Sequence, residues 1–299
     1  TRATATLRQL HIPPNVMWHL LTNTKHMKIR SVIISSFLLL TVTLNGQKTD
    51  ELLKQAQDCA NKGDYPCAIE ATQKLIRKET DKHKIAVYYS NLGTFQRRIG
   101  KREDAIKSYD QAIKADPTMI MAFTNRATLN AQMGNREAAF ADYESALKLD
   151  SLDETALINR ASLYDKMGEY DKSANDLAKL IAADPKNFKA RSNLALTKSH
   201  KGNLEEALND FAQLIVDYPT EATLHNNKAD ILMKLNRLDE ALQEADMAIF
   251  LDEKYIIGQV TKGEILMKLG KVEEAKAQLD LAVKLGFPQA EADKILSSK

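Results

Sequence analysis

From Gln47 onward, apolar and small residues recur three and four positions apart in stretches of roughly 13 residues, parted by short polar breaks, which predicts a succession of helices. The breaks have a period. Gly63, Gly100, Gly134, Gly168, Gly202 and Gly270 stand 37, 34, 34, 34 and 68 residues apart, and the skipped position is Asn236. Only 11 of 299 residues are Gly, so this spacing is not chance. Asn is the residue that next best accepts a left-handed backbone, so all seven positions predict the residue just past a helix end.

Other columns keep the same phase. Five residues later come Ala68, Ala105, Ala139, Ser173, Ala207, Ala241 and Ala275, and seven earlier stand Ala56, Gly93, Ala127, Ala161, Ala195, Ala229 and Gly263. Thirteen residues after the turn runs an aliphatic column: Ile76, Ile113, Leu147, Ile181, Ile215, Ile249 and Val283. Asp116-Pro117, Asp184-Pro185 and Tyr218-Pro219 mark unit ends, where Pro opens a segment but cannot continue the last one. Each unit therefore predicts two helices, with small residues in fixed columns to let their backbones approach. One such hairpin cannot bury its own apolar face, so neighbours must stack.

These columns resemble the tetratricopeptide repeat, as in Asn91-Leu-Gly93, Gly100, Ala105, Tyr109, Ala112 and Asp116-Pro117. The resemblance implies an all-α, right-handed superhelical solenoid of about seven helix-turn-helix units. They fall at 49–85, 86–119, 120–153, 154–187, 188–221, 222–255 and 256–289, with a capping helix at 290–298, in a body spanning 47–299. The column of the family's large aromatic holds Tyr89, Phe123, Leu157, Arg191, His225 and Gln259, and its three polar members predict looser packing in the last units.

The chain has a net charge of +2, but residues 1–46 hold five bases and no acid, which leaves the body at −3. That is no electrostatic footprint for nucleic acid. A start at Met27 gives a short basic segment, Met27-Lys-Ile-Arg30, followed by the 13-residue apolar run Val32–Leu44 and a small residue, Gly46. Residues 27–46 so predict a secretory signal peptide, preceded by an upstream extension (1–26) without assigned structure. The run is short for a spanning helix of about 20 residues. The mature chain is expected without a transmembrane span, in the periplasm or secreted; anchorage by an uncleaved signal is the alternative. Cys59 and Cys67 flank the first hairpin turn, either as a disulfide or as two free thiols.

Catalytic and cofactor motifs are missing: there is no Gly-rich phosphate loop, His-Glu-x-x-His, Gly-x-Ser-x-Gly or Cys-x-x-Cys. No cofactor and no enzymatic activity are expected. The informative residues sit on the first helices. Asn91, Asn125, Asn159, Asn193 and Asn227 recur every 34 residues, about 200° around the helix from the packed column. A side-chain amide donates and accepts, so a row of them can pair with the backbone of an extended peptide. The row resembles the asparagine ladder of O-GlcNAc transferase, another protein built from these repeats. Seven residues further along the same stripe come Arg98, Gln132, Lys166, His200, Lys234 and Lys268, which predict a mildly basic groove. The family's carboxylate clamp would need Lys and Arg where this chain has Asn, so clamp function is not implied.

A third set, Arg126, Arg160, Lys228 and Lys262, is followed sixteen residues on by Asp142, Asp176, Glu244 and Gln278, which predicts interhelical ion pairs in three units. The expected function is an exported protein-interaction scaffold that takes a peptide or protein partner in its concave groove. A self-associating structural protein, or an adaptor for an enzyme or sensor on another chain, is the alternative.

Overall fold

The computed structural model describes residues 47–297, and fifteen helices with no strand occur among them. The expected signal peptide (27–46), the upstream extension and Ser298 lie outside the described residues. The body expected as one domain divides into two compact units that meet at Asp116 and Pro117. The first unit holds α1 (Gln47–Asn61), α2 (Tyr65–Lys78), α3 (Lys82–Arg98) and α4 (Arg102–Ala115). The second holds α5 (Ile120–Gln132), α6 (Arg136–Leu149), α7 (Glu154–Lys166), α8 (Tyr170–Ala183), α9 (Phe188–Lys201) and α10 (Leu204–Asp217). It continues with α11 (Ala222–Lys234), α12 (Leu238–Leu251), α13 (Ile256–Lys268), α14 (Val272–Lys284) and α15 (Gln289–Ser297).

The period-setting positions end helices as their chemistry requires. After α5, the Gly134 N–H donates to the Ala131 carbonyl at 3.2 Å and the Asn135 N–H to Asn130 at 2.9 Å, the two bonds of a Schellman cap. Asn236 does the same after α11, with bonds to Met233 at 3.1 Å and from Arg237 to Leu232 at 2.9 Å. Its φ of 58° is the one positive φ of a non-glycine residue among the described residues. Three first helices, α3, α7 and α9, open on side-chain caps: Asp81 Oδ1 accepts from the Lys84 N–H at 3.0 Å, Asp153 Oδ1 from Ala156 at 2.7 Å, and Asn187 Oδ1 from Ala190 at 2.9 Å.

Consecutive helices pack as hairpins, and each hairpin packs on the next within its unit. The small-residue columns sit where helices meet. A Cβ on Gly93 would lie 2.6 Å from the Tyr109 ring, and one on Gly263 would lie 2.8 Å from the Leu279 side chain. In the first unit, Ala56, Ala71, Leu75 and Tyr88 form the core, and Cys59 and Cys67 are joined by a disulfide across a Cα separation of 5.7 Å. In the second unit the most extensive core runs from Ala195 to Ile265, through Phe211, Leu214, Leu224 and Leu232. The last repeats are therefore well packed despite their polar column: His225 and Gln259 are buried with partners, Glu244 at 2.7 Å and the Gln278 amide. Arg191, the third polar member, is mostly buried and paired with Asp217 at 2.7 Å. The final helix, α15, lays Ala292, Ile295 and Leu296 over Val260 and Leu279 and so covers the last apolar face.

The interhelical ion pairs form in the three predicted units. Arg126 grips Asp142 through two bonds of 2.9 and 2.6 Å, Arg160 grips Asp176 at 2.7 and 2.8 Å, and Lys228 meets Glu244 at 2.6 Å. Lys262, whose column partner in its own unit is the uncharged Gln278, reaches back to Asp246 of α12 at 2.8 Å. Burial works against the charge of Arg160, but the hydrogen bond and charge of Asp176 prevail and hold its pKa above the ordinary value. Asp176 is 2% exposed, so its carboxylate depends on these partners.

Replacing Arg160 by Leu leaves Asp176 with Lys179 alone, 3.0 Å away. A loss of about 3 kcal/mol is expected in urea unfolding, and the double variant Arg160→Leu/Asp176→Leu should recover most of it. An unchanged midpoint in the single variant would remove the pair from the stabilising interactions.

Candidate functional site

Within the second unit, the first helices of successive repeats (α5, α7, α9, α11 and α13) touch one another, whereas the second helices make no comparable contact. The first helices thus crowd one side and the second helices fan out on the other. The inner wall of this unit is made by first helices, and these carry Asn125, Asn159, Asn193 and Asn227. Asn91 holds the corresponding place on α3 of the first unit.

All five asparagines are half-buried. The Asn159 amide donates to Thr128 Oγ1 of the preceding first helix at 3.2 Å, while Asn193 donates to the Lys189 carbonyl one turn back at 2.8 Å. Asn125 is also partnered. Asn91 and Asn227 make no side-chain hydrogen bond among the described residues. The row therefore divides between bracing and unengaged amides, and even a bracing amide keeps its carbonyl oxygen as an acceptor.

The second stripe is exposed as expected at Arg98, Gln132, Lys166, His200, Lys234 and Lys268. Two of its members, His200 and Lys234, are met by carboxylates that the periodic columns did not single out. His200 Nδ1 is paired with Asp165 Oδ2 on the preceding first helix, and Lys234 sits 2.7 Å from Asp230 and 3.5 Å from Ser199 Oγ. Glu264 lies one turn before Lys268, as Asp230 lies one turn before Lys234, and this repeated i, i+4 spacing was the signal available in the sequence. The wall therefore carries acids beside its bases.

Glu264 is the least compensated of these acids. Burial, and behind it the charge of Asp230, push its carboxyl above the ordinary 4.5, with Lys268 opposing. The ionised form is disfavoured in the folded chain, so its cost is present at neutral pH and is relieved as pH falls through the raised pKa. Glu264→Gln should then melt above the wild type at pH 7, and the gap should close on acidification toward 4.5. Melting curves across that range check this, and a constant or widening gap would refute it.

Profiles of the tetratricopeptide repeat match residues 86–119, 122–151, 154–187 and 259–285, and a second profile of the same repeat matches 194–256. No curated protein sequence matches the chain. Among solved structures, the chain is similar to a tetratricopeptide repeat protein from Parabacteroides merdae, with 27% identity and a TM-score of 0.72 over 84% of this chain and 98% of that one. It is similar in fold to the type IV pilus biogenesis factor PilW (18% identity, TM-score 0.60, 71% of this chain and 99% of that one). It also resembles yeast Tom70 in fold (18% identity, TM-score 0.59, 86% of this chain and 65% of that one). With repeat profiles over most of its length and hairpins stacked on the 34-residue period, the chain belongs to the tetratricopeptide repeat family and is built as a protein-interaction scaffold.

Proposed function

We propose that this protein is an exported scaffold, without chemistry of its own, that holds an extended segment of a partner protein against the first helices of its repeats. The observation that carries the reading is the row of asparagine amides at 34-residue intervals on the helices that form the inner wall of the second unit. An extended peptide presents an N–H and a C=O at every residue, and an amide side chain satisfies either one without regard to sequence. The flanking wall, with Lys166, His200, Lys234 and Lys268 interleaved with Asp165, Asp230 and Glu264, offers ionic contacts of both signs. Affinity from the backbone and selectivity from the flanking charges is the division of labour such a wall supports.

Two features support export. The segment at 27–46 has the layout of a signal peptide, and the Cys59–Cys67 disulfide suits an oxidising compartment. No helix among the described residues is long and apolar enough to cross a membrane.

The groove reading is tested by capture from cell envelopes with the wild-type chain and with a variant carrying Ala at all five ladder positions, after circular dichroism shows equal helicity. A partner held by the wild type and lost by the variant is the expected result, while identical partners would move the working surface elsewhere. The compartment is tested separately by thiol alkylation of the chain in intact cells. Cys59 and Cys67 should resist alkylation until a reductant is added, and immediate labelling would count against export.

A further inference from the structure

Two observations coincide on the outer side of the second unit. The first is charge. Residues 203–252 hold eleven acids and three bases, a surplus of eight in a body whose net charge is only −3. The outer helices of this stretch, α10 and α12, carry four acids each and no base, whereas every other second helix carries at least two bases. Bases on neighbouring helices meet several of these acids, as Lys262 meets Asp246, but Asp239, Glu221 and Glu253 stand in no ion pair among the described residues. The second observation is exposure. Val216 on α10 and Phe250 on α12 are 72% and 78% exposed, the highest values of any large apolar side chain among the described residues. They lie 34 residues apart and so hold the same level on their helices, both of which pack on α11 between them. Met247, one turn before Phe250, is exposed beside it.

We infer that the outer faces of α10 and α12 form a second interface, distinct from the inner wall, that takes an amphipathic helix of a partner protein whose apolar stripe is bordered by Lys and Arg. The sign of the occupant follows from the surplus acid, which attracts cations and repels anions. That argues against an anionic lipid surface. It also argues against a second copy of this chain on the same face, since a two-fold contact would set one acidic surplus against the other. The apolar stripe follows from Val216, Met247 and Phe250, which a purely polar partner would leave in water. The helical form follows from what the surface lacks. An extended segment needs partners for its backbone along its length, whereas a helix satisfies its own backbone and asks a surface only for apolar and ionic contacts. Seated between α10 and α12, such a helix covers the apolar pair and brings its bases to Asp239 at one end and to Glu221 and Glu253 at the other.

The test uses the chain purified from cell envelopes and two synthetic amphipathic helices with the same leucine stripe, one bearing Lys and the other Glu on its polar face, each read by fluorescence anisotropy. Saturable binding of the Lys helix is expected, with the Glu helix weaker by about tenfold or more and the Lys helix itself weakened as salt is raised. Phe250→Ala should weaken the Lys helix about fivefold or more and leave the fold intact, because the ring is exposed. Asp239→Lys should weaken it likewise, whereas Glu137→Lys, the same reversal in the corresponding column of α6, should change nothing. The variant lacking the five ladder asparagines should bind as the wild type does. The inference is overturned by the absence of saturable binding, by equal binding of the two helices, by unaltered binding in Phe250→Ala or Asp239→Lys, or by lost binding in the Glu137→Lys or ladder variant. Two other occupants would also overturn it: a concentration-dependent dimer that Phe250→Ala abolishes, or a peptide of residues 27–46 that displaces the Lys helix at lower concentration.

Discussion

The constraint on which the rest depends is how near two helix backbones can come. At Gly93 and Gly263 there is no room for a single carbon atom before the Tyr109 ring or the Leu279 side chain, and the other units put alanine in that column. Close approach lets one helix of a hairpin bury the apolar stripe of the other, and the outer apolar stripes that remain are buried only by stacking. Everything functional follows from that stacking. First helices that touch one another make an inner wall, and second helices that do not touch leave seams on the outside.

The two faces of the second unit are thus unlike in kind. The inner wall repeats: amides every 34 residues, with acids and bases interleaved beside them. It suits a ligand that is itself repetitive, namely a polypeptide backbone. The outer side does not repeat in this way: the side chains beside its seams differ from one repeat to the next. A repetitive surface supplies tolerance and a varied one supplies discrimination, and a scaffold that joins specific components needs both.

What was legible in the sequence was what recurs. Asn236 could be read as a helix terminator because six glycines fix its phase, and its φ of 58° agrees. The Arg126–Asp142, Arg160–Asp176 and Lys228–Glu244 pairs were legible because a sixteen-residue offset joins the two helices of every hairpin. What was not legible depends on distances that the period does not encode. The disulfide rests on a Cα separation of 5.7 Å, which an eight-residue spacing does not determine. The neutralised stripe rests on Asp165, Asp230 and Glu264, which occupy two different columns and so form no single pattern. The Arg191–Asp217 pair rests on the direction Arg191 takes, and a helical wheel says nothing about a rotamer.

The reach of Lys262 to Asp246 has a consequence for how such a chain can change over time. The three other pairs close within their own hairpin, so each travels with its unit when that unit is copied. The last unit differs. Its lysine borrows the carboxylate of its neighbour, so removal of the repeat at 222–255, which carries Asp246, would leave Lys262 without that partner. Asp246 is 53% exposed, so the loss would be small, about 1 kcal/mol or less.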